Sequence, residues 1–350
     1  MASSPHVFST VEIFAGRVVP HGYYKMIHRD SWFGDSAFYL RMLGFAVFFT
    51  FLRLAVARWV VKPLGKPLNL KASNYTKLEE AIMQVGFYTW GWSYNAAYLF
   101  KQDWFWNPIV SFLDNFPRQA NEYAIFHLPK QDWRHGTTRL TIGWYLHGVY
   151  THFFLDTKKS DFAIMIVHHV VTLSLLYGAY VVGYFRVGML VMFSMDVCDT
   201  FLYSAKILKI VKSGGKVDYP AAVYYIGFGM IPVSWFFFRL VYFPFVVMRT
   251  TAIDGLIASG YDNADGWAPF NILLLILLCL NTWWFSIIVK IMWRSITSQS
   301  LQALDDIREK EANAELLANK EACSGGEKHT THQKRASSEQ NTKKTPKKNQ

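Results

Sequence analysis

The sequence predicts an all-α polytopic membrane protein, with about seven transmembrane helices and a buried polar site between helices. Three observations lead there. About half of the 350 residues are aliphatic or aromatic and only 17% are charged, where a soluble domain carries about a quarter. The charges gather in short loops and in the last fifty residues. They leave apolar stretches of about twenty residues, the length a helix needs to cross a hydrocarbon core of roughly 30 Å. Finally, a few ionisable side chains stand inside those stretches, where they are costly.

Taken in order, the predicted spans are about 38–60, 80–100, 140–157, 162–182, 187–208, 221–248 and 270–293. The second and third are short and partly polar. The corresponding organisation is an N-terminal lumenal segment (1–37), a first span with a basic loop (38–79), a membrane domain (80–293) and a cytosolic tail (294–350). The tail opens with helical spacing at Leu301, Leu304, Ile307 and Leu316. After Gly325 it turns to Ser, Thr, Gln and Lys, a composition expected to stay disordered. No cleavable signal peptide is expected, since the first thirty residues lack a compact apolar core with a small-residue cleavage site.

The lysines orient these spans. Lys62, Lys66, Lys71 and Lys77 lie in the first loop, Lys158 and Lys159 in the third, and Lys209, Lys212 and Lys216 around the fifth. The loop before the last span instead carries Asp254, Asp262 and Asp265 with Arg249. Positive charge is retained on the cytosolic side, so alternation places the basic loops and tail in the cytosol and the N-terminus in the lumen. On that topology the sequon Asn74-Tyr75-Thr76 is a chance match. The terminal Lys347-Lys348-Asn349-Gln350 reads as a cytosolic dilysine retrieval signal for the endoplasmic reticulum. The net charge of +11 is explained by the same loops and tail, and no nucleic-acid partner is expected. Cys198, Cys279 and Cys323 are too scattered for a disulfide framework or a metal site.

The chemistry is expected where polar groups lie deep in spans four and five. His168 and His169 stand in FAIMIVHHVVTLSLLYGAY; Asp196 and Asp199 stand in VGMLVMFSMDVCDTFLYSAK. The three-residue spacing puts both carboxylates on one helical face, and the short link GYFRV makes the two helices neighbours. His168 lies about 9 Å and Asp199 about 14 Å from their cytosolic ends at 1.5 Å per residue. An imidazole held by a carboxylate has its other nitrogen free as nucleophile or base. Arg239, in SWFFFRLVYFP, is ambiguous because it can snorkel toward the lumenal surface. His147 and His152 add a hint of di-iron histidine boxes, but such boxes need further histidines, and Met165 stands where one would be. No metal and no cofactor are expected.

The run Asp161–Lys206 carries DF…HHVVTL, Arg186-Val187-Gly188, Asp196-x-x-Asp199 and Ala205-Lys206. This pattern resembles the signature of the longevity-assurance (ceramide synthase) family of TLC-domain proteins, and the similarity extends from FYTWGWSY near residue 87 to DDIRE in the tail. The chain is most similar to the isoform without a homeobox-like segment between spans one and two. The resemblance implies N-acylation of a sphingoid base by fatty acyl-CoA. His168 would carry the acyl group, with His169 assisting and Asp196 and Asp199 setting the imidazole and receiving the amine proton. Acyl-CoA is then a substrate, and the CoA phosphates would meet Lys158, Lys159, Lys206, Lys209 and Lys212. From His168 to the lumenal end of span four is roughly 21 Å, similar to an extended chain of about eighteen carbons, and the isoform likeness points to stearoyl-CoA. The lumenal loop 249–269 is the expected stop for that chain. The resemblance is also compatible with a homo- or heterodimer. One departure stands out: Met195 occupies the place of the family histidine. It leaves open a catalytically weak TLC-type protein that senses lipid or assists other membrane proteins.

Overall fold

The computed structural model describes residues 36–107, 136–156, 160–182, 184–217, 220–255 and 266–298. Among them seven long helices take the seven predicted places. These are α1 (Ser36–Val56), α2 (Ala72–Leu99), α3 (Gly136–Phe154), α4 (Phe162–Val182), α5 (Phe185–Ser213), α6 (Ala221–Trp235) and α7 (Trp267–Ser298). Helix α1 runs on through Ala57–Val61 and Lys62–Gly65. Helix α6 runs on through the π-helical Phe236–Met248 and Thr250–Asp254, with Pro232 and Pro244 inside the combined rod. Proline has no N–H to donate, and the wider π winding is one way a helix accommodates such interruptions. No strand occurs among the described residues.

Five of these rods are long and apolar enough to cross a membrane: Tyr39–Gly65, Phe162–Ala179, Arg186–Ser213, Tyr225–Asp254 and Trp267–Arg294. Helices α2 and α3 do not meet that measure. They are the two whose sequences are partly polar, and they owe their places to partners. Helix α2 lies along α5, and α3 lies along α1. The N-terminal segment and nearly all of the tail fall outside the described residues. So do Lys158, Lys159 and much of the loop before α7, with the readings attached to them.

The chain divides into two compact units, residues 1–157 with 164–290, and Lys158–Ala163 with Ile291–Gln350. The described part of the second is the start of α4 and the last turns of α7. The core belongs to the first unit, with α5 at its centre, touching α2, α6 and the π-helical extension. One cluster joins Val171, Leu175 and Ala179 of α4 to Val187, Leu190 and Phe193 of α5 and to Phe270, Leu274 and Leu277 of α7. A second joins Met42 and Phe49 of α1 to Phe87 of α2 and Trp144 of α3, where Phe87 and Trp144 stack at 4.1 Å.

The basic loops converge. Arg53 near the end of α1 donates through Nε to Glu79 at the start of α2 (2.5 Å) and through Nη1 to Asp156 just past α3 (2.8 Å). Asn74 in the first turn of α2 donates to Ser213 at the end of α5 (2.9 Å). The ends of α1, α3 and α5 therefore lie together beside the start of α2. Only residues 66–71 separate the α1 rod from α2, too few for an inserted domain.

Candidate active site

An apolar cavity of about 50 Å³ opens among α3, α4, α5, the extension of α6, and α7. Tyr145, Leu175, Val191, Leu274 and Leu277 are typical of its lining. Its lining residues with polar groups are Tyr145, His168, Thr172, Tyr184, Asp199 and Arg239. Helix periodicity explains how α4 contributes two of them: residues four apart share one face. At the far end Tyr184 and Phe270 meet edge to face at 4.7 Å.

The four predicted site residues are split by the rotation of their helices. His168 and Asp199 line the cavity. His168 rests on the edge of Trp284, with ring centroids 5.3 Å apart. His169 points instead toward α3, where it meets His152 at 5.8 Å and Tyr145 at 6.3 Å between centroids. Asp196 is 1% exposed and turned toward α2, where a Cβ on Gly91 would stand 2.7 Å from its Oδ2. The absent side chain at Gly91 is what gives this carboxylate room. Nδ1 of His168, Nδ1 of His169 and Oδ1 of Asp196 are buried without a hydrogen-bond partner among the described residues. The two carboxylates therefore do not hold the imidazoles through those atoms.

Asp199 has a different partner. Arg239, 4% exposed, directs Nη2 to Asp199 Oδ1 at 2.8 Å and to the Met195 carbonyl at 3.0 Å, and Nη1 to Asn281 Oδ1 at 3.0 Å. Its guanidinium lies 3.8 Å from the centroid of the Trp235 ring. Arg239 thus faces inward; its guanidinium spreads its donors over Asp199, Asn281 and the Met195 carbonyl instead of reaching for the surface. Asn281, fully buried, also directs Nδ2 to the Met195 thioether at 3.6 Å. Arg239, Asn281 and Thr172 were not singled out as site residues in the sequence. An arginine and an asparagine inside apolar spans were a usable signal, and Thr172 stands within the HHVVTL run, one helical turn after His168. Depth also differs from expectation. Helix α5 continues to Ser213, so Asp199 lies about 21 Å from that end, because the helix extends past the membrane-length segment.

Lys206 is engaged, with Nζ 2.8 Å from Glu80 Oε1 and 5.5 Å from the Tyr203 ring. Lys209 and Lys212 are half-buried on the same end of α5. His147 is drawn to α1, where its Nδ1 is 3.0 Å from Thr50 Oγ1. Among the described residues no group of three or more His, Cys, Asp or Glu side chains gathers as a metal site.

The TLC-domain family model matches residues 77–290, from α2 into α7. Human ceramide synthase 1 is 32% identical over 270 residues, covering 75% of this chain and 73% of that protein. Ceramide synthase LOH2 of Arabidopsis thaliana is 30% identical over 280 residues, covering 75% and 88%. Mouse ceramide synthase 1 is 30% identical over 281 residues, covering 75% and 73%. The chain belongs to the ceramide synthase family. For a ceramide synthase-family chain, the departure at Met195 now has a location: the residue lines the cavity and is held at both its carbonyl and its thioether.

Proposed function

We propose that this protein is an acyl-CoA-dependent sphingosine N-acyltransferase of the endoplasmic reticulum membrane, making ceramide through an acyl group carried on His168. The observation that carries the proposal is the meeting of His168 and Asp199 on one apolar cavity. The names of its relatives support ceramide as the product.

In the first step an imidazole nitrogen of His168 bonds to the thioester carbon, and the carbonyl electron pair moves onto oxygen. The intermediate collapses, the C–S bond breaks, and the thiolate leaves as CoA with the proton that the acylated imidazole releases from its other nitrogen. In the second step the sphingoid amine bonds to the acyl carbon and the bond to imidazole breaks. Asp199, facing the cavity and fixed by Arg239, takes the ammonium proton and passes it to the departing imidazole, which is restored as neutral His168. An acyl-imidazole is reactive enough for an amine, and an apolar chamber keeps competing water away. His169 and Asp196, packed behind the cavity, act by holding α4 and α5 in register with α3 and α2.

The thioester enters from the end where the basic loops gather, which we assign to the cytosol, with the N-terminus lumenal. Lys158, Lys159, Lys209 and Lys212 are the proposed phosphate contacts, and Lys206 belongs to its pair with Glu80. The acyl chain runs toward Tyr184 and Phe270. Ala179 lies eleven residues beyond His168, about 16 Å along α4. Stearoyl-CoA, the donor we favour from the isoform likeness, would press on the Tyr184–Phe270 contact.

Membranes containing the full chain, given radiolabelled stearoyl-CoA and sphinganine, are expected to form labelled ceramide. His168→Ala is expected to form none and to lose covalent labelling of the protein by acyl-CoA. Rapid turnover by His168→Ala would sink the acyl-imidazole route. A second reading rests on Met195, which puts a thioether where the family has an ionisable group: a TLC-type protein that binds lipid with little turnover. Wild-type membranes that bind lipid and yield no ceramide would establish that reading instead.

A further inference from the structure

Several helical threonines in this protein return their hydroxyl proton to the carbonyl one turn back. Thr50 donates to Ala46 at 2.9 Å, Thr200 to Asp196 at 3.0 Å, Thr250 to Val246 at 2.6 Å and Thr282 to Leu278 at 2.9 Å. This is the ordinary way for a helix to satisfy the group. Thr172 departs from it. It is 8% exposed, and its Oγ1 is buried with no hydrogen-bond partner among the described residues. The carbonyl it leaves unused belongs to His168. The same side chain lines the cavity beside the histidine. A buried hydroxyl without a partner lowers stability, so its retention in an apolar chamber points to a ligand that completes it.

We infer that Thr172 is a catalytic residue whose hydroxyl donates a hydrogen bond to the acyl carbonyl oxygen while that oxygen carries negative charge. The inference rests on acyl transfer at His168. Residues 168 and 172 share one face of α4, one turn apart, so an acyl carbon bonded to the imidazole has its oxygen within the region Thr172 faces. Charge develops on that oxygen twice, when imidazole attacks the thioester and when the amine attacks the acyl-imidazole. The proton stays on Oγ1 throughout. A fixed donor in a dry cavity favours both transition states without reorganising. A hydroxyl serving a substrate hydroxyl instead would act in the second step alone.

The test uses the full chain with Thr172→Val and Thr172→Ser, and measures the two half-reactions separately. These are acyl-enzyme formation from stearoyl-CoA, and transfer to sphinganine or to octadecylamine, which has no hydroxyl. Thr172→Val is expected to slow both half-reactions by about a hundredfold to a thousandfold, equally for both amines, while Thr172→Ser stays within tenfold of wild type. The thermal midpoint of Thr172→Val should be unchanged or higher, since valine matches threonine in shape and removes the unpaired hydroxyl. Wild-type rates in Thr172→Val would overturn the inference and leave His168 chemistry intact. A loss confined to sphinganine would overturn it in favour of recognition of the base. A lowered midpoint with normal rates per folded molecule would make Thr172 structural. A wild-type protein forming neither acyl-enzyme nor ceramide would overturn the proposed function itself, and this inference with it.

Discussion

The end where the basic loops gather and the cavity both place ionisable groups among apolar helices, and they treat them differently. At the basic end the groups are matched across elements: Arg53 with Glu79 and Asp156, Lys206 with Glu80, Thr50 with His147. One nitrogen of Arg53 is left over. Around the cavity the Arg239–Asp199 pair is made, but Nδ1 of His168, Oγ1 of Thr172 and Nε of Arg239 are buried without partners among the described residues. Pairing holds helices together; unpaired groups in a dry cavity await something that completes them. The same chain uses polar residues as fasteners in one place and as working parts in the other.

The sharpest way to break this contrast is at Arg239. Arg239→Met leaves Asp199, whose 18% side-chain exposure opens on the apolar cavity, without its cation, and we expect a loss of about 3–5 kcal/mol in stability together with loss of ceramide formation. Denaturation in detergent and the ceramide assay read the two separately. Pairing it with Asp199→Leu should recover most of the stability and none of the activity. Recovery of both would mean the pair is only a fastener.

Arg53→Met tests the other side. Glu79 and Asp156 are 18% and 17% exposed at their side chains, so water relieves part of the loss. The expected cost is about 1–3 kcal/mol, with activity per folded molecule unchanged. A selective fall in turnover at normal stability would move this end into the working half.

A smaller effect is expected at the far wall. Phe270→Leu opens the contact with Tyr184 for about 1 kcal/mol of stability, and the ceramide product should shift toward longer acyl chains by mass spectrometry. An unchanged chain profile would place the length gauge elsewhere, with the loop 249–269 the next region to exchange. Smallest of all is Met195→His. An imidazole nitrogen can accept the Asn281 amide as the thioether does, so turnover should equal or exceed that of wild type. A clear drop would show that the thioether is required as it stands.

Five of the helices were legible because twenty-residue apolar stretches are a coarse, strong signal; α2 and α3 carried it weakly, being partly polar. The helix ends were not legible. Helix α2 begins at Ala72 and α5 reaches Ser213, because polar residues continue a helix beyond the membrane without any change in hydropathy to mark it. At the site, ionisable residues inside apolar runs drew attention to His168 and Asp199, which the fold brings to one cavity. Which way each helix turns was hidden, since rotation is set by neighbours far away in sequence. That is why His169 and Asp196, adjacent in the motif to residues on the cavity, face α3 and α2 instead. Arg239 was visible as a residue and unreadable as a direction until Asp199 and Asn281 were found around it.

Gly91 shows what such hidden adjacency means for anyone trying to make the protein more robust. Replacing a glycine inside a helix with alanine is among the most reliable stabilising changes, worth about 1 kcal/mol in propensity. Helix α2, polar enough to fail the measure of a membrane span, would be the first place to attempt it. Here the added methyl would arrive 2.7 Å from a carboxylate oxygen of Asp196. The carboxylate or the helix would have to move, and α5, which also carries Asp199, would be displaced with it. At this position hardening the scaffold and preserving the chemistry are opposing aims, although Gly91 lies about a hundred residues before the aspartate it accommodates.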